Sequence, residues 1–447
     1  MTTSKEQILD NSKTARKARH AWYLYDFGNS AYAAVILLAV YSAYFKNAVV
    51  GGAEGTRLWG LSVGIAAIAV ALMSPILGAI ADSSRSKKLF LFLFTGFSIA
   101  FTALLFFVGP GDVIMGMVFF ILAEIGYRGA QVFYDALLVD VSTPETIGNI
   151  SGKGWAIGMI GGVVTLLIAV LPIQLIGNEF IPFTFIITAI VYALSSLPTY
   201  FRVKEVSPVV PIPEGHTLLS ISFKQLANTF REIKLYKEFL RYMVAFLIYN
   251  DGIMMLMDFA AIIGGTLYGL TQVQLILFVI IIHITGALGA LTFGRISDNK
   301  SSKRSIVLSL VILIVSLAFL YFIQSVVGFF IVGAFAGFSL SGAQAVSRTM
   351  VSQLAPEHKT TEFYGFLSVA GRTSTFIGPL VFGALSFKMH NHYLDQGMAE
   401  LAAEKLGQLW GIGSILAFLV IGLLILLTVK EVTASHPIEY NQIKAED

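Results

Sequence analysis

Four polar residues stand out in an otherwise apolar stretch, spaced four, three and four positions apart. They are Glu124, Arg128, Gln131 and Asp135, and this spacing places them on one face of a helix. The guanidinium of Arg128 is a permanently charged planar fork that suits a carboxylate. A buried Glu124 could bind an ammonium group or take up a proton. Together these groups fit a zwitterion, although Glu124 and Arg128 could instead simply neutralise each other.

Similar polar residues interrupt other apolar stretches. We expect substrate binding by Asp26, Asn29, Glu124, Arg128, Gln131, Asp251, Gln344 and Arg372. The candidates for proton coupling are Glu124, Asp135, Asp251, Asp258 and His283. Two simpler roles stay open, because Asp251 could pack against Arg372 and His283 could be hydrogen-bonded to a neighbouring helix.

The stretches that hold these residues are long enough to cross a membrane. The chain of 447 residues is 56% hydrophobic and 13% charged, and about 20 apolar residues cross a hydrocarbon core. Twelve spans are predicted, near 23–47, 58–81, 89–108, 114–138, 154–173, 181–201, 240–264, 273–296, 305–324, 327–350, 362–386 and 407–429. Continuous runs favour helices over a β-barrel. Because an ionisable group inside such a helix is costly, each one marks a candidate site.

The basic residues near the spans predict the orientation. The inner segments are rich in Lys and Arg, whereas the outer segments hold only Lys46, Arg57, Lys388 and Lys405. Since basic residues accumulate on the cytoplasmic side, we expect both termini in the cytoplasm and the protein in a prokaryotic inner membrane. The net charge of +3 then reflects topology and attraction to anionic lipid, and it does not indicate nucleic-acid binding.

The sequence contains an internal repeat of six spans. GAIADSSRSKK at 78–88 and GRISDNKSSKR at 294–304 fall after the second and eighth spans. An even number of spans per repeat predicts two halves of parallel topology with a site between them. The predicted organisation is a cytoplasmic segment 1–22, a six-helix bundle 23–201, a cytoplasmic linker 202–238, a second bundle 239–430 and a tail 431–447. The linker is either plain or carries a short amphipathic helix on the membrane surface.

Twelve spans with G-x-x-x-D-x-x-R-x-K-K at 78–88 and its degraded copy at 294–304 resemble the major facilitator superfamily. Within it, WYLYDFGNSAYAAVI (22–36), FYDALLVDVSTPE (133–145) and SGKGWAIGMIGG (151–162) resemble the "unknown major facilitator" family, which includes fungal vacuolar amino-acid effluxers. The resemblance implies an all-α integral membrane protein with two six-helix halves and a central cavity lined by spans one, four, seven and ten. It also implies that the loop Asp acts as a latch. The expected gating residues are Asp82, Arg85, Asp298 and Arg304.

The same resemblance implies a secondary transporter that works by alternating access. We expect it to move a small zwitterion, an amino acid, with proton-coupled efflux as the expected mode. Two alternatives are an exporter of drugs or other organic ions and a membrane receptor that binds a ligand without moving it. The expected partners are the substrate, a proton and membrane lipid, and we expect a monomer.

Enzyme chemistry and cofactors are not expected. No nucleophile with an adjacent base occurs within a span, and the absence of Cys excludes disulfides and thiolate metal sites. His390, His392 and Asp395 could hold a metal ion. A solvated outer loop is the favoured interpretation of these three residues, and no metal site is expected.

Overall fold

The computed structural model describes residues 13–83, 86–142, 147–205, 236–354, 371 and 376–430. Within these residues, twelve long helices follow one another and there is no strand. They are α1 (Lys13–Tyr32), α2 (Gly52–Ser83), α3 (Lys87–Leu104), α4 (Val113–Ala136), α5 (Ile147–Ile176), α6 (Ile181–Arg202), α7 (Lys237–Tyr268), α8 (Gln272–Asn299), α9 (Ser302–Phe319), α10 (Val326–Leu354), α11 (Ile377–Asp395) and α12 (Glu400–Thr428). We call α1–α6 the first half and α7–α12 the second half.

The outer surface of the helices is apolar, as expected for a protein in lipid. In the described part of the chain, eleven helical segments are long and apolar enough to cross a membrane. The remaining helix is α11, and the predicted span at 362–386 begins outside the described residues. Large side chains such as Leu175 (77% exposed) and Phe322 (80% exposed) face outward. Soluble proteins rarely expose such extended apolar surface, so this is a multi-pass membrane protein.

The first span is longer than predicted and is not a regular α-helix throughout. α1 begins at Lys13, before the predicted start at residue 23, and continues as two π-helical segments, Ala33–Ala39 and Phe45–Val50, separated by a short helix, Tyr41–Tyr44. We call the membrane face where α1 begins the near face, and the face where Val50 lies the far face. The near face is the side predicted to be cytoplasmic. π-Helical segments occur frequently at functional sites.

The two halves pack against each other through α2 with α11 and through α5 with α8. Glycine allows the first of these contacts to be very close, because a Cβ atom on Gly60 would lie 2.3 Å from the carbonyl oxygen of Pro379. Small residues at such positions let helix backbones approach one another in membranes. The carbonyl oxygen of Ala39, at the end of a π-helical segment, accepts a hydrogen bond from Gln272 Nε2 at 2.6 Å. The first π-helical segment therefore contacts the start of α8.

At the near face, polar contacts hold each half together internally. Lys87 Nζ lies 3.2 Å from Asp140 Oδ2, and the carboxylate of Glu205 accepts hydrogen bonds from the first N–H groups of α3 at 3.1 and 3.0 Å. In the second half, Glu238 Oε2 accepts a hydrogen bond from the backbone N–H of Lys430 at 2.8 Å. A carboxylate at a helix N-terminus is stabilising because it satisfies free N–H groups and the helix dipole.

Candidate substrate site

The centre of the candidate site is an ion pair on α4. Arg128 Nε donates to Glu124 Oε1 one turn earlier on the same helix. The second oxygen, Glu124 Oε2, accepts a hydrogen bond from the hydroxyl of Tyr32 at 3.0 Å. Glu124 is fully buried, and both of its oxygens are engaged by protein. Glu124 therefore orients Arg128 and is not itself available to a ligand.

Arg128 remains able to bind an anion. Its side chain is 16% exposed, and among the described residues its hydrogen bond to Glu124 is made through Nε. The fork formed by the two Nη groups is the part of a guanidinium that binds a carboxylate through two parallel hydrogen bonds. α4 thus presents a guanidinium whose orientation is set by Glu124.

The second half contributes a carboxylate opposite this guanidinium. Asp258 of α7 interacts electrostatically with Arg128, Glu124 and Asp251, and the residue is 5% exposed. Its backbone oxygen accepts a hydrogen bond from Trp59 Nε1 of α2 at 2.8 Å. At about 1.5 Å per residue, Asp258 lies roughly 15 Å from the far end of α7 and Glu124 roughly 16 Å from the far end of α4. The two halves therefore bring opposite charges together near mid-membrane.

A second polar layer lies closer to the near face. Asn29 Nδ2 donates to Asp26 Oδ1 at 3.5 Å on α1, and Asp26 interacts electrostatically with Asp135 of α4 and with Arg348 of α10. Asp26 and Asn29 are buried, whereas Asp135 and Arg348 are exposed. This layer also draws on both halves, and it places a carboxylate and a guanidinium on the approach to the central ion pair.

Asp251 lies against the start of α11. Its Oδ2 accepts a hydrogen bond from the backbone N–H of Gly378, at the start of α11, at 3.0 Å. Its other oxygen is buried without a hydrogen-bond partner in the described part of the chain. Arg372, the partner considered from the sequence, lies outside the described residues. Asp251 thus contacts a helix N-terminus, where a negative charge is stabilising.

The remaining candidates sit at the borders of the site. His283 Nδ1 lies 2.8 Å from the carbonyl oxygen of Val279, so this contact is on its own helix and not to a neighbouring one. Its Nε2 faces Gly162 of α5, 3.6 Å from the position a Cβ atom would take there. Gln131 and Gln344 are half-buried on α4 and α10. His283 therefore lies at the contact between the halves.

The predicted gating residues are only partly described. Asp82 and Asp298 fall in the last turns of α2 and α8, and their side chains, like the whole of Arg85, lie outside the described residues. Arg304 lies in the first turn of α9, where its backbone N–H donates to the capping hydroxyl of Ser301 at 3.1 Å. The latch function of these residues stays a prediction.

The suggested metal ligands on the outer loop are placed differently from expectation. α11 continues to Asp395, so His390 and His392 lie in a helix, and His390 is buried. The favoured interpretation of a solvated loop is therefore wrong for His390. Among the described residues, no group of three or more His, Cys, Asp or Glu side chains could hold a metal ion.

Sequence reasoning missed the aromatic residues that support the site. Tyr32 stacks on Tyr127 with a centroid separation of 4.5 Å, and its ring also lies near Tyr192 of α6. Tyr25 lies seven residues, or about two helical turns, before Tyr32. The hydroxyl groups of Tyr25 and Tyr192 are hydrogen-bonded to each other at 3.0 Å. The seven-residue spacing of Tyr25 and Tyr32 on an otherwise apolar span was the signal that could have revealed them. Their packing fixes α1 against α4 at the level of Glu124.

The chain is similar in sequence to a group of known and suspected transporters. The sequence profile described as "Vacuole effluxer Atg22 like" matches residues 58–146 and 140–394. An uncharacterized MFS-type transporter of Bacillus subtilis, YxiO, is 28% identical over 435 residues, which cover 95% of this chain and 97% of that protein. Autophagy-related protein 22 of Kluyveromyces lactis is 24% identical over 277 residues, 58% of this chain and 55% of that protein.

Solved structures of transporters share the fold. A bacterial homolog of the human lysosomal transporter Spinster, in an inward-facing and unoccupied conformation, superposes with a TM-score of 0.67 at 16% identity, covering 93% of this chain and 97% of that one. The nucleoside transporter NupG superposes with a TM-score of 0.66 at 14% identity, covering 92% and 100%. At these identities the likeness concerns the fold alone, and it confirms the predicted major facilitator architecture.

Proposed function

The chain belongs to the vacuole effluxer Atg22-like family of major facilitator transporters, and on this premise we propose that it moves an amino acid across its membrane by alternating access. The observation that carries the proposal is the electrostatic interaction between Arg128 of α4 and Asp258 of α7, which lie near mid-membrane on opposite halves. A zwitterion has one group for each of these charges. The family description and the central charges are the supporting findings.

The proposed roles follow from which atoms are already engaged. The Nη fork of Arg128 binds the carboxylate of the substrate, and Asp258 binds its ammonium group. Glu124 and Tyr32 position Arg128 without touching the substrate, since both Glu124 oxygens are occupied. A ligand that bridges the two halves favours the conformation in which they are closest, which is the requirement for a ligand-driven conformational change.

Proton coupling and efflux are the finer parts of this proposal. Asp251 holds the start of α11 through Gly378, and His283 lies at the contact between α8 and α5. A proton bound at either position would change a contact between helices that has to rearrange during transport. We propose that Asp82 and Asp298 stabilise the state that is closed at the near face. The proposed direction of efflux is from the near face to the far face.

The test is uptake of a panel of labelled amino acids by the purified protein in proteoliposomes, with and without a pH gradient. We expect accumulation of at least one neutral amino acid, increased by the gradient. Arg128→Lys replaces the planar fork by a single ammonium group, so we expect the KM to rise about tenfold to a hundredfold, the equivalent of about 1.5–3 kcal/mol. Arg57→Lys is the matched control, because Arg57 is paired with Glu54 one turn away and is far more exposed.

Two outcomes would contradict the proposal. Unchanged transport by Arg128→Lys would remove the assigned role of the guanidinium. Binding of an amino acid without flux under any imposed gradient would instead favour a membrane receptor.

One observation favours a second candidate function, the export of organic cations. Two buried carboxylates, those of Glu124 and Asp258, interact with the guanidinium of Arg128, and a third, that of Asp251, interacts with Asp258. This excess of negative charge suits a cationic solute. In that case Asp258→Asn would abolish transport of an organic cation, whereas Arg128→Lys would leave it unchanged.

A further inference from the structure

The far face contains a buried ion pair that joins the two halves. Lys46 Nζ, in the second π-helical segment of the first span, lies 2.6 Å from Glu404 Oε1 of α12, and the two side chains are 7% and 9% exposed. The sequence placed Lys46 among the outer basic residues, but the side chain is turned into the protein. A charge is costly to bury unless it is paired, so each partner depends on the other.

A second polar link runs parallel to the ion pair. Gln408, one turn after Glu404 on α12, donates from Nε2 to Thr56 Oγ1 of α2 at 2.7 Å. Both residues are buried. Lys46 and Thr56 belong to the first half and Glu404 and Gln408 to the second, so both links would break if the halves separated at this face.

One polar atom of these links lacks a partner. Gln408 Oε1 is buried and has no hydrogen-bond partner within the described residues. A buried polar atom without a partner costs about 1–3 kcal/mol, so a permanently closed contact would be more stable with an apolar side chain here. Ser386 and His390 of α11, by contrast, contact α12 at Gly407, where a Cβ atom would lie 2.4 Å from Ser386 O and 3.2 Å from His390 N, so they lie at a contact within the second half.

A surface that is buried in one state and wet in another accounts for both features. In the closed state the ion pair and the Gln408–Thr56 hydrogen bond hold the halves together, while the unpaired Oε1 of Gln408 opposes closure. In an open state, water would solvate these four side chains. Such opposing contributions keep two conformations close in free energy, as a transporter that cycles requires.

We propose that Lys46, Thr56, Glu404 and Gln408, the far-face cluster, form the far-side gate, with the Lys46–Glu404 pair as its lock. The proposal rests on the proposed alternating access and assigns this structure to the state closed at the far face. Among the described residues, the near-face contacts Lys87–Asp140 and Glu238–Lys430 each lie within a single half.

Two substitutions separate the contact between the halves from packing within one half. Lys46→Met leaves Glu404 unpaired in the closed state but hydrated in the open state, so we expect the far-open population to rise about tenfold. Ser386→Ala removes a buried hydroxyl at the α11–α12 contact within the second half, and we expect the far-open population to stay unchanged. The exchanged pair, Lys46→Glu with Glu404→Lys, restores opposite charges and is expected to return the distribution toward that of the wild type.

The absence of Cys from the chain allows spin labels at two introduced cysteines without other changes. Glu179→Cys, in the connection between α5 and α6, and Gln324→Cys, between α9 and α10, place exposed labels on opposite halves at the far face. Double electron–electron resonance in proteoliposomes then measures the distance between the halves. Glu54→Gln, which removes the exposed Glu54–Arg57 pair within α2, is the matched control and should leave the distances unchanged.

The outcomes separate the gate from the transport proposal. Longer distances for Lys46→Met together with unchanged ones for Ser386→Ala support the gate, even if no amino acid is transported. Distances for Lys46→Met that match those of Glu54→Gln, or an equal lengthening for Ser386→Ala, would overturn it. If Lys46→Met does not fold, the exchanged pair provides the test. A protein with Lys46→Glu and Glu404→Lys that neither folds nor shows the wild-type distances would also overturn the gate.

Discussion

Removing one hydroxyl group should test whether Glu124 positions Arg128. Tyr32→Phe deletes the donor to Glu124 Oε2 and leaves the ring free to stack on Tyr127. The lost hydrogen bond has a charged acceptor that is fully buried, so it should contribute about 1.5–3 kcal/mol. Neutral hydrogen bonds between membrane helices average only about 0.6 kcal/mol. The free energy of unfolding should therefore fall by clearly more than a neutral bond explains.

The chain offers a matched control for this substitution. The hydroxyl of Tyr41, in the same span, also donates to α4, but its acceptor is the neutral carbonyl oxygen of Gly116 at 2.8 Å. Tyr41→Phe should cost about 0.6 kcal/mol and should leave the KM of an amino-acid substrate unchanged. Tyr32→Phe should raise that KM about tenfold, because a carboxylate lacking one partner no longer fixes the guanidinium.

The assays are unfolding of the purified protein by SDS, followed by tryptophan fluorescence, and uptake by proteoliposomes. Equal losses of stability for the two variants, with no change in KM for either, would show that Tyr32 is an ordinary packing residue. The assignment of Glu124 as a positioning residue would then be wrong. If Tyr32→Phe loses stability and Tyr41→Phe does not, but neither KM changes, only the substrate role of Arg128 would be contradicted. The hydrogen bond from Tyr32 to Glu124 would still be supported.

Two further predictions concern the packing of the helices. Gly60→Ala introduces a Cβ atom 2.3 Å from Pro379 O across the halves, whereas Gly289→Ala introduces one 1.8 Å from Phe338 O within the second half. We expect Gly60→Ala to lengthen the spin-label distances at the far face, and Gly289→Ala to lower the free energy of unfolding. Longer distances for Gly289→Ala, with a loss of stability alone for Gly60→Ala, would contradict the assignment of these contacts. Asp140→Asn leaves the ammonium group of Lys87 buried without its counter-charge, so SDS unfolding should show a loss of about 3–5 kcal/mol, and a loss below about 1 kcal/mol would mean that this pair is solvated.

Much of the architecture followed from composition and spacing. Long apolar runs predicted the membrane helices because lipid cannot satisfy an unpaired backbone group. The four-residue spacing of Glu124 and Arg128 predicted that they share a helix face, and the ion pair between them followed from that spacing. The boundaries were less accurate, as α1 begins well before residue 23, since its first turns are polar and carry no apolar signal.

Interactions across the chain could not be predicted in the same way. Nothing local in the sequence indicates that Asp258 faces Arg128, that Tyr32 donates to Glu124, or that Asp251 holds the start of α11. These partners are 92 to 130 residues apart in the chain. Helix periodicity specifies a face but not the neighbour that covers it. The role of each carboxylate therefore depended on the packing of helices.

The sequence by itself determined that this chain crosses the membrane many times, repeats a six-span unit and carries ionisable residues on helix faces. Those properties depend on hydrophobicity and periodicity, which act along a single helix. Only the tertiary structure decided that Glu124 is already occupied, that Asp258 supplies the opposing charge, and that Lys46 is buried against Glu404. The physical reason is that the free energy of a buried charge is set by the partner that replaces water, and that partner comes from another helix.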